Sequence, residues 1–471
     1  MMSTVESERK KTIVWLKFLY LWQAVGPSSW GRFASLYYDS VNLTPAQIGL
    51  ITGCMPMVRA IVMPLWGIVA DRISTKKRVA LSTQLIGASS LLLLLLPTVS
   101  HSFFYIWLVS IMSACFASAG VLDAFTLTVL GFKEKSRFGE IRMWSAVSWG
   151  ICNFVMGYVT DLMNGNFIVN IILFFVCTMI STLILALIIP DNKGTPNKEE
   201  EDEVSLRGTD QIETDYQMKT TTNIRHGISL AIFFFELFII GAGMGLVERL
   251  LFVYIVEVLG GSYTLCGLTV LATVSVEIFI FQYSKFLLDL LGHEICFLLA
   301  LACYVPRVLG YTLLTKNTRH WIILIEVAHG ITFGFMFSAA VDKTADLAPP
   351  GREATFQTIQ NACRGCLGAG TGAILGGWYW QYVCNHRGKH RQNCRSGAIK
   401  LFRLAAAIFS TVLIVHLFVS LNFRLYHSCR RLYIHFNKER QRRTSVVVPD
   451  DDASPLASPL LPLIANDEGE E

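Results

Sequence analysis

Nine ionisable side chains stand in stretches of this chain too apolar to be loops: Arg59, Asp123, Glu248, Arg249, Glu277, Arg307, Glu326, His329 and Arg364. Residues 270–281, VLATVSVEIFIF, pose the question in its plainest form, because everything there except Glu277 suits a greasy helix. An ionised carboxylate at the centre of a bilayer costs about 3 kcal/mol. The cost falls if an arginine meets it, if it carries a proton, or if it faces a cavity. Counted from the ends of their apolar runs, Glu277 and Arg307 reach nearly the same depth. A permanent Glu277–Arg307 pair would fix helix packing. A carboxylate protonated from one side of a membrane and deprotonated on the other would bias a conformational equilibrium, which is proton coupling. Both readings stay open from sequence. Glu326 and His329 are one turn apart and share a helix face. With Asp123 and Glu248 they complete the candidate coupling set: Glu277, Arg307, Glu326, His329, Asp123 and Glu248. Asp123 also suits a structural brace to Arg142.

The elements that would carry these charges are membrane helices. The chain has 471 residues, 53% hydrophobic and only 16% charged, with a mean hydropathy of +0.47. Soluble domains carry roughly 25% charged residues. Apolar runs of bilayer-spanning length recur along the chain, and lipid admits only helices or closed barrels. An all-α polytopic protein is expected, with twelve transmembrane helices near 13–38, 46–70, 77–97, 102–130, 139–160, 167–189, 228–257, 265–285, 294–314, 320–342, 354–381 and 399–425. No charged n-region, short apolar stretch and cleavage site precede the first run, so no removable signal peptide is expected. Residues 190–226 interrupt the pattern with nine acidic and five basic side chains and read as a linker. The chain therefore divides into a terminus (1–12), a six-helix half (13–189), the linker, a second six-helix half (227–425) and a tail (426–471).

Most of the 40 basic residues fall in the terminus, the tail and the loops on one side, including Arg72, Lys76, Lys77 and Arg78. That side is expected to be cytosolic, with both termini on it. The net charge of +5 is this topological signal, and no nucleic-acid partner need be invoked. The basic part of the tail suits anionic membrane lipid. Which membrane holds the protein is not legible.

The first helices of the two halves carry matching weak points. WQAVGPSSWGRF places Gly26 and Pro27 near mid-membrane, and IIGAGMGLVERL places Gly241, Gly243 and Gly245 there. A break in a helix at such a point marks a transporter's central site, while glycines can also serve close packing. An arginine follows each, Arg32 or Arg249. With Arg59 these form the candidate substrate set, which favours anionic or zwitterionic solutes. Trp30, Trp22 and Tyr254 could line the cavity or belong to the core.

Other chemistry finds little support. No Cys/His cluster has metal-ligand spacing, no phosphate-binding loop is present, and no nucleophile stands beside a base. No enzyme, cofactor or metal is expected. Cys363 and Cys366 lie inside an expected membrane helix and read as small packing residues. Cys384 and Cys394 flank the last outer loop, where either a disulfide or two free thiols would fit. Asn42-Leu43-Thr44 is the one glycosylation sequon, followed at once by Pro45.

These features together resemble a major facilitator superfamily transporter. GIVADRISTKKR after the second span is similar to that superfamily's signature: Gly67, then Asp71-Arg72, then Lys76, Lys77 and Arg78. The resemblance implies that Gly67, Asp71 and Arg72 form a gating loop. KFLLDLLGHE after the eighth span places Asp289 at the matching point. MPLWGIVADR, RFGEIRMWSAVSWG, the segment from LGGSYTLCGL to VEIFIF, EVAHGITFG and LAPPGREATFQTIQNACRGCLGAGTGAILGG resemble the branch of lactose-permease-like and nucleoside–proton symporters. The likeness runs from residue 13 to about 425. It implies proton-coupled movement of a small organic solute by alternating access, with Glu277, Arg307 and Glu326 in coupling. A receptor or scaffold that kept the fold without transport, and a facilitator without proton coupling, are the alternatives.

Overall fold

The computed structural model describes residues 2–73, 76–134, 137–189, 220–349, 352–385 and 394–418. The expected linker and tail fall almost wholly outside them. Every regular element among the described residues is helical. The first half holds α1 (Met2–Trp30), α2 (Ala34–Ser40), α3 (Pro45–Arg72), α4 (Lys76–Leu91), α5 (Phe103–Cys115), α6 (Ala119–Glu134), α7 (Phe138–Leu162) and α8 (Ile168–Leu187). The second half holds α9 (Thr220–Glu248), α10 (Tyr263–Gln282), α11 (Ser284–Leu313), α12 (Ile322–Leu347), α13 (Glu353–Asn361), α14 (Ala369–Asn385) and α15 (Arg395–Phe418). The described residues up to His416 form one compact unit, and the site lies wholly within it.

Nine helices among the described residues are long and apolar enough to cross a membrane. The other expected spans fall on α1, α7 and the α13–α14 series, which are helical but too polar along their length to meet that measure. Two spans depart from expectation. The fourth is broken at residues 116–118 between α5 and α6. The ninth begins earlier, because α11 runs on from Ser284 through a kink at Gly292, whose φ of 75° suits glycine alone.

Local chemistry sets several helix starts. Thr44 and Gln47 form a reciprocal capping box at the head of α3, with Pro45 in the first turn, where its missing N–H costs nothing. Thr44 is buried in that role, so the sequon's hydroxyl is occupied. Asn42 itself is exposed, with a φ of 63°. Ser262 caps α10 by accepting from the Leu265 N–H at 3.1 Å. Cys384 and Cys394 are joined as a disulfide, Cα to Cα 5.8 Å, between α14 and α15.

The bundle has a basic end, where Arg72 and Lys76 lie, and a far end, where α3 begins. At the far end the two halves interlock. A Cβ at Gly377 of α14 would stand 2.2 Å from the Pro45 carbonyl oxygen, and one at Gly157 of α7 would stand 2.3 Å from that of Tyr263. Asp161 of α7 accepts from the Tyr263 and Thr264 N–H groups of α10 at 3.0 and 2.7 Å. Phe33 and Phe252 meet edge to face at 5.3 Å. One large apolar core takes residues from both halves there. Towards the basic end the described glycines show no such contact. A Cβ at Gly67 of α3 or Gly139 of α7 would meet nothing within 4 Å. A separate core, including Leu16, Val79, Ala80, Leu122 and Ile141, draws on the first half only.

Candidate functional site

The interruptions expected in the first and seventh spans exist, but they fall on the arginines rather than on the glycines. α1 runs unbroken through Gly26 and Pro27 and ends at Trp30; Arg32 sits in the turn 31–33 before α2. α9 runs unbroken through Gly241, Gly243 and Gly245, and Arg249 sits in the turn 249–250 beyond Glu248. The glycines serve packing instead. A Cβ at Gly241 would stand 2.1 Å from the Arg364 carbonyl oxygen, and one at Gly26 would stand 2.7 Å from Thr178 Oγ1. Two matching helices thus each yield, at one point, an arginine on irregular backbone.

The partner of Arg307 is Glu326, not Glu277. Its Nη2 lies 3.3 Å from Glu326 Oε1, and both side chains are fully buried. Arg307 Nε donates to the Tyr311 hydroxyl at 2.8 Å, and Tyr311 donates to the same carboxylate oxygen. The Thr273 hydroxyl of α10 lies 3.1 Å from both Glu326 Oε2 and the Glu326 carbonyl, its one proton shared with the Thr269 carbonyl at 2.9 Å. The guanidinium also lies over the Tyr304 ring, 5.1 Å from its centroid. Both carboxylate oxygens are therefore satisfied, and α10, α11 and α12 are tied together. Depth counting addresses the height of Arg307 in the bundle. It could not give the direction in which α11 presents it, which is towards α12.

Glu277 is left one turn beyond Thr273, partly exposed, and no hydrogen bond or ion pair joins it to another described residue. Arg32, Glu248, Glu326 and Arg307 act on it electrostatically. Glu248 approaches buried His329, Oε1 to Nε2, at 3.3 Å. His329 is held from behind by Thr332, whose hydroxyl donates to the His329 carbonyl at 2.8 Å.

Arg59, at the middle of α3, is exposed although its helix lies within the bundle, so it faces open space. Arg249 feels Glu248, Arg59 and Arg32. Arg364, the last of the embedded charges, sits in a π-helical turn, Ala362–Gly368, buried, with its guanidinium 5.3 Å from the Phe337 ring centroid and 5.6 Å from that of Phe333. Such π turns recur at functional sites. At the basic end Asp71 lies 3.8 Å from Lys76, both partly or fully exposed, and Arg72 closes α3.

Residues 13–387 match the MFS_1 like family. The chain belongs to that family, and with it to the transporters of the major facilitator type. It is 24% identical over 389 residues to a protein of Bacillus subtilis (strain 168) named as the uncharacterized transporter YwbF, covering 78% of this chain and 86% of that one. Its fold is similar to that of the nucleoside transporter NupG, with a TM-score of 0.67 at 15% identity, covering 86% of this chain and 98% of the other. It is also similar to a POT family transporter solved in complex with 5-aminolevulinic acid, with a TM-score of 0.60 at 15% identity, covering 86% and 96%. The chain is a multi-pass integral membrane transporter, and no enzyme family is indicated.

Not every candidate joins the central set of this major facilitator chain. Asp123 accepts from Tyr20 at 2.6 Å and lies 3.7 Å from Arg142, within the first-half core near the basic end. It braces α1, α6 and α7 there. Trp30 is buried among Tyr37 and Tyr38, at ring distances of 5.3 and 6.0 Å, and packs as core. A second ionic group lies towards the basic end of the second half. His416 of α15 lies 2.6 Å from Glu236 of α9 and 3.0 Å from Glu294 of α11, and Lys343 of α12 lies 2.7 Å from Glu294. Beside it His293 faces Asp342 and Asp346 at 3.7 and 3.9 Å.

Proposed function

We propose that the chain is a secondary active transporter that moves a small organic solute by alternating access, with proton movement as its driving force. The observation that carries this reading is Glu277: a partly exposed carboxylate inside the bundle, among arginines, with no direct partner among the described residues. A brace has its oxygens satisfied, as Glu326 has. A proton carrier must be reachable and must change its charge at tolerable cost. The partial exposure of Glu277 and its lack of a direct partner among the described residues support that role; Glu248, which acts on it, lies 3.3 Å from His329, and the Arg307–Glu326 pair ties α11 to α12.

Among the described residues the halves interlock at the far end, while towards the basic end Gly67 and Gly139 face open space and the first half has a core of its own. If the basic end is cytosolic, as the distribution of lysine and arginine implies, this is the inward-open state. Gly67, Asp71 and Arg72 stand at the open end, where a gating loop would act. NupG is named as a nucleoside transporter and the POT family protein was solved with 5-aminolevulinic acid, which supports a small organic cargo.

The test is uptake into proteoliposomes of the full chain under an imposed pH gradient, with a broad panel of labelled solutes. Accumulation above the equilibrium level that collapses with a protonophore is expected. No uptake of any solute, together with saturable binding of a protein partner, would replace transport with a receptor role.

A further inference from the structure

Four arginines of the central site close no ion pair among the described residues: Arg32, Arg59, Arg249 and Arg364. Arg32 Nη1 and Arg364 Nε are moreover buried atoms without a hydrogen-bond partner. They come from the π turn after α13, from the middle of α3 and from the two matching helix breaks, so unrelated segments converge here. Among the described residues Glu248 acts on Arg249 and Arg364, and Glu277 feels Arg32, while Glu326 is neutralised by Arg307. Four guanidinium groups against these two carboxylates leave two cationic charges in excess within this described set.

Uncompensated guanidinium groups inside a membrane protein are costly and are kept where they line a pathway or meet a ligand. Guanidinium also binds carboxylate and phosphate in preference to neutral acceptors, through its planar fork of N–H donors. Resting on the transport reading above, we infer that the transported solute is a doubly charged organic anion, a dicarboxylate or a phosphate monoester, held between Arg32 and Arg249 at the two breaks with Arg59 and Arg364 completing its charge balance. The breaks matter because Arg32 and Arg249 lie in turns that join helical segments, which can shift as the halves rock.

The experiment measures the melting temperature of the purified full chain with succinate, glycerol 3-phosphate, uridine or choline, followed by uptake of the same four compounds into proteoliposomes. Ligand binding to the native state raises the melting temperature. Succinate or glycerol 3-phosphate is expected to do so, and which of the two does so separates carboxylate from phosphate recognition. Arg249→Gln and Arg364→Gln should each weaken that binding at least tenfold. Arg249→Lys, which keeps the charge, should retain part of it and guards against a variant that merely misfolds. Stabilisation by uridine or choline that persists in Arg249→Gln would overturn the anionic assignment and leave transport standing. Failure of both anions to bind would overturn it as well. If a broad solute panel also shows no uptake, the transport reading falls with it.

Discussion

Glu326 and Arg307 close on each other at 3.3 Å with neither side chain exposed, and Tyr311 serves both. Removing one partner of such a pair leaves a buried charge alone, at a cost of about 3–5 kcal/mol, whereas replacing both by apolar residues is often close to neutral. Glu326→Gln and Arg307→Met are each expected to lower the melting temperature markedly, and the double variant to recover most of the loss. Equal loss in the double variant would show that the pair is worth more than its mutual compensation.

Glu277 should behave in the opposite way. It has no partner to strand, so Glu277→Gln is expected to fold and to melt close to the native chain. If it carries the coupled proton, the variant should lose accumulation driven by a pH gradient while keeping exchange of labelled for unlabelled solute across the membrane. Concentrative uptake by Glu277→Gln would remove this residue from the coupling role.

Much of the architecture was legible in composition alone, because lipid forces each long apolar run into a helix and GIVADRISTKKR resembles a known gating loop. The partner of Arg307 was not. Counting along a run gives depth, but the face a residue presents depends on how α11 packs on α12. The helix breaks lie within a turn or two of the glycines that the sequence offers as weak points; the glycines themselves, such as Gly241, are contact points, the packing alternative that the same residues allow. The His416 group was not legible: Glu294 and Lys343 stand at the ends of their runs, where a charge is ordinary, and no spacing along the chain joins them to Glu236 or His416. Only the packing of four helices brings Glu236, Glu294, Lys343 and His416 together.

That group yields its own expectation. His416 lies between Glu236 and Glu294 and stacks on Phe297 with ring centroids 5.3 Å apart. His416→Phe keeps an aromatic ring on Phe297 but leaves two carboxylates to Lys343. The carboxylates are only partly buried, so the penalty should fall below that of a fully buried pair, at about 2 kcal/mol. A second change, Glu236→Gln, should return part of it. Thermal unfolding of the single and double variants measures both effects. A double variant less stable than His416→Phe would mean that Glu236 has another cationic partner.

The far-end seam can be opened by a single methyl-bearing side chain. At Gly377 a Cβ would meet the Pro45 carbonyl oxygen at 2.2 Å and the Gly49 Cα at 3.0 Å. Both are backbone atoms, which cannot swing aside as a flexible side chain would, so α3 and α14 must separate to admit Gly377→Val. The Ala46 N–H donates to Gln381 Oε1 across this seam at 3.2 Å, which makes Ala46→Cys with Gln381→Cys a reporter of closure. In the otherwise native chain this cysteine pair should be joined readily by a short bifunctional thiol reagent. Adding Gly377→Val should reduce the yield several-fold and raise the reactivity of each thiol with a water-soluble reagent. Gly139→Ala, where nothing lies within 4 Å, should leave the yield unchanged. Because closing the far end and opening the basic end are one step in alternating access, Gly377→Val should also protect thiols placed at the basic end. If cross-linking falls without that protection, the two ends move independently, and a rocking motion of rigid halves is the wrong description of this transporter.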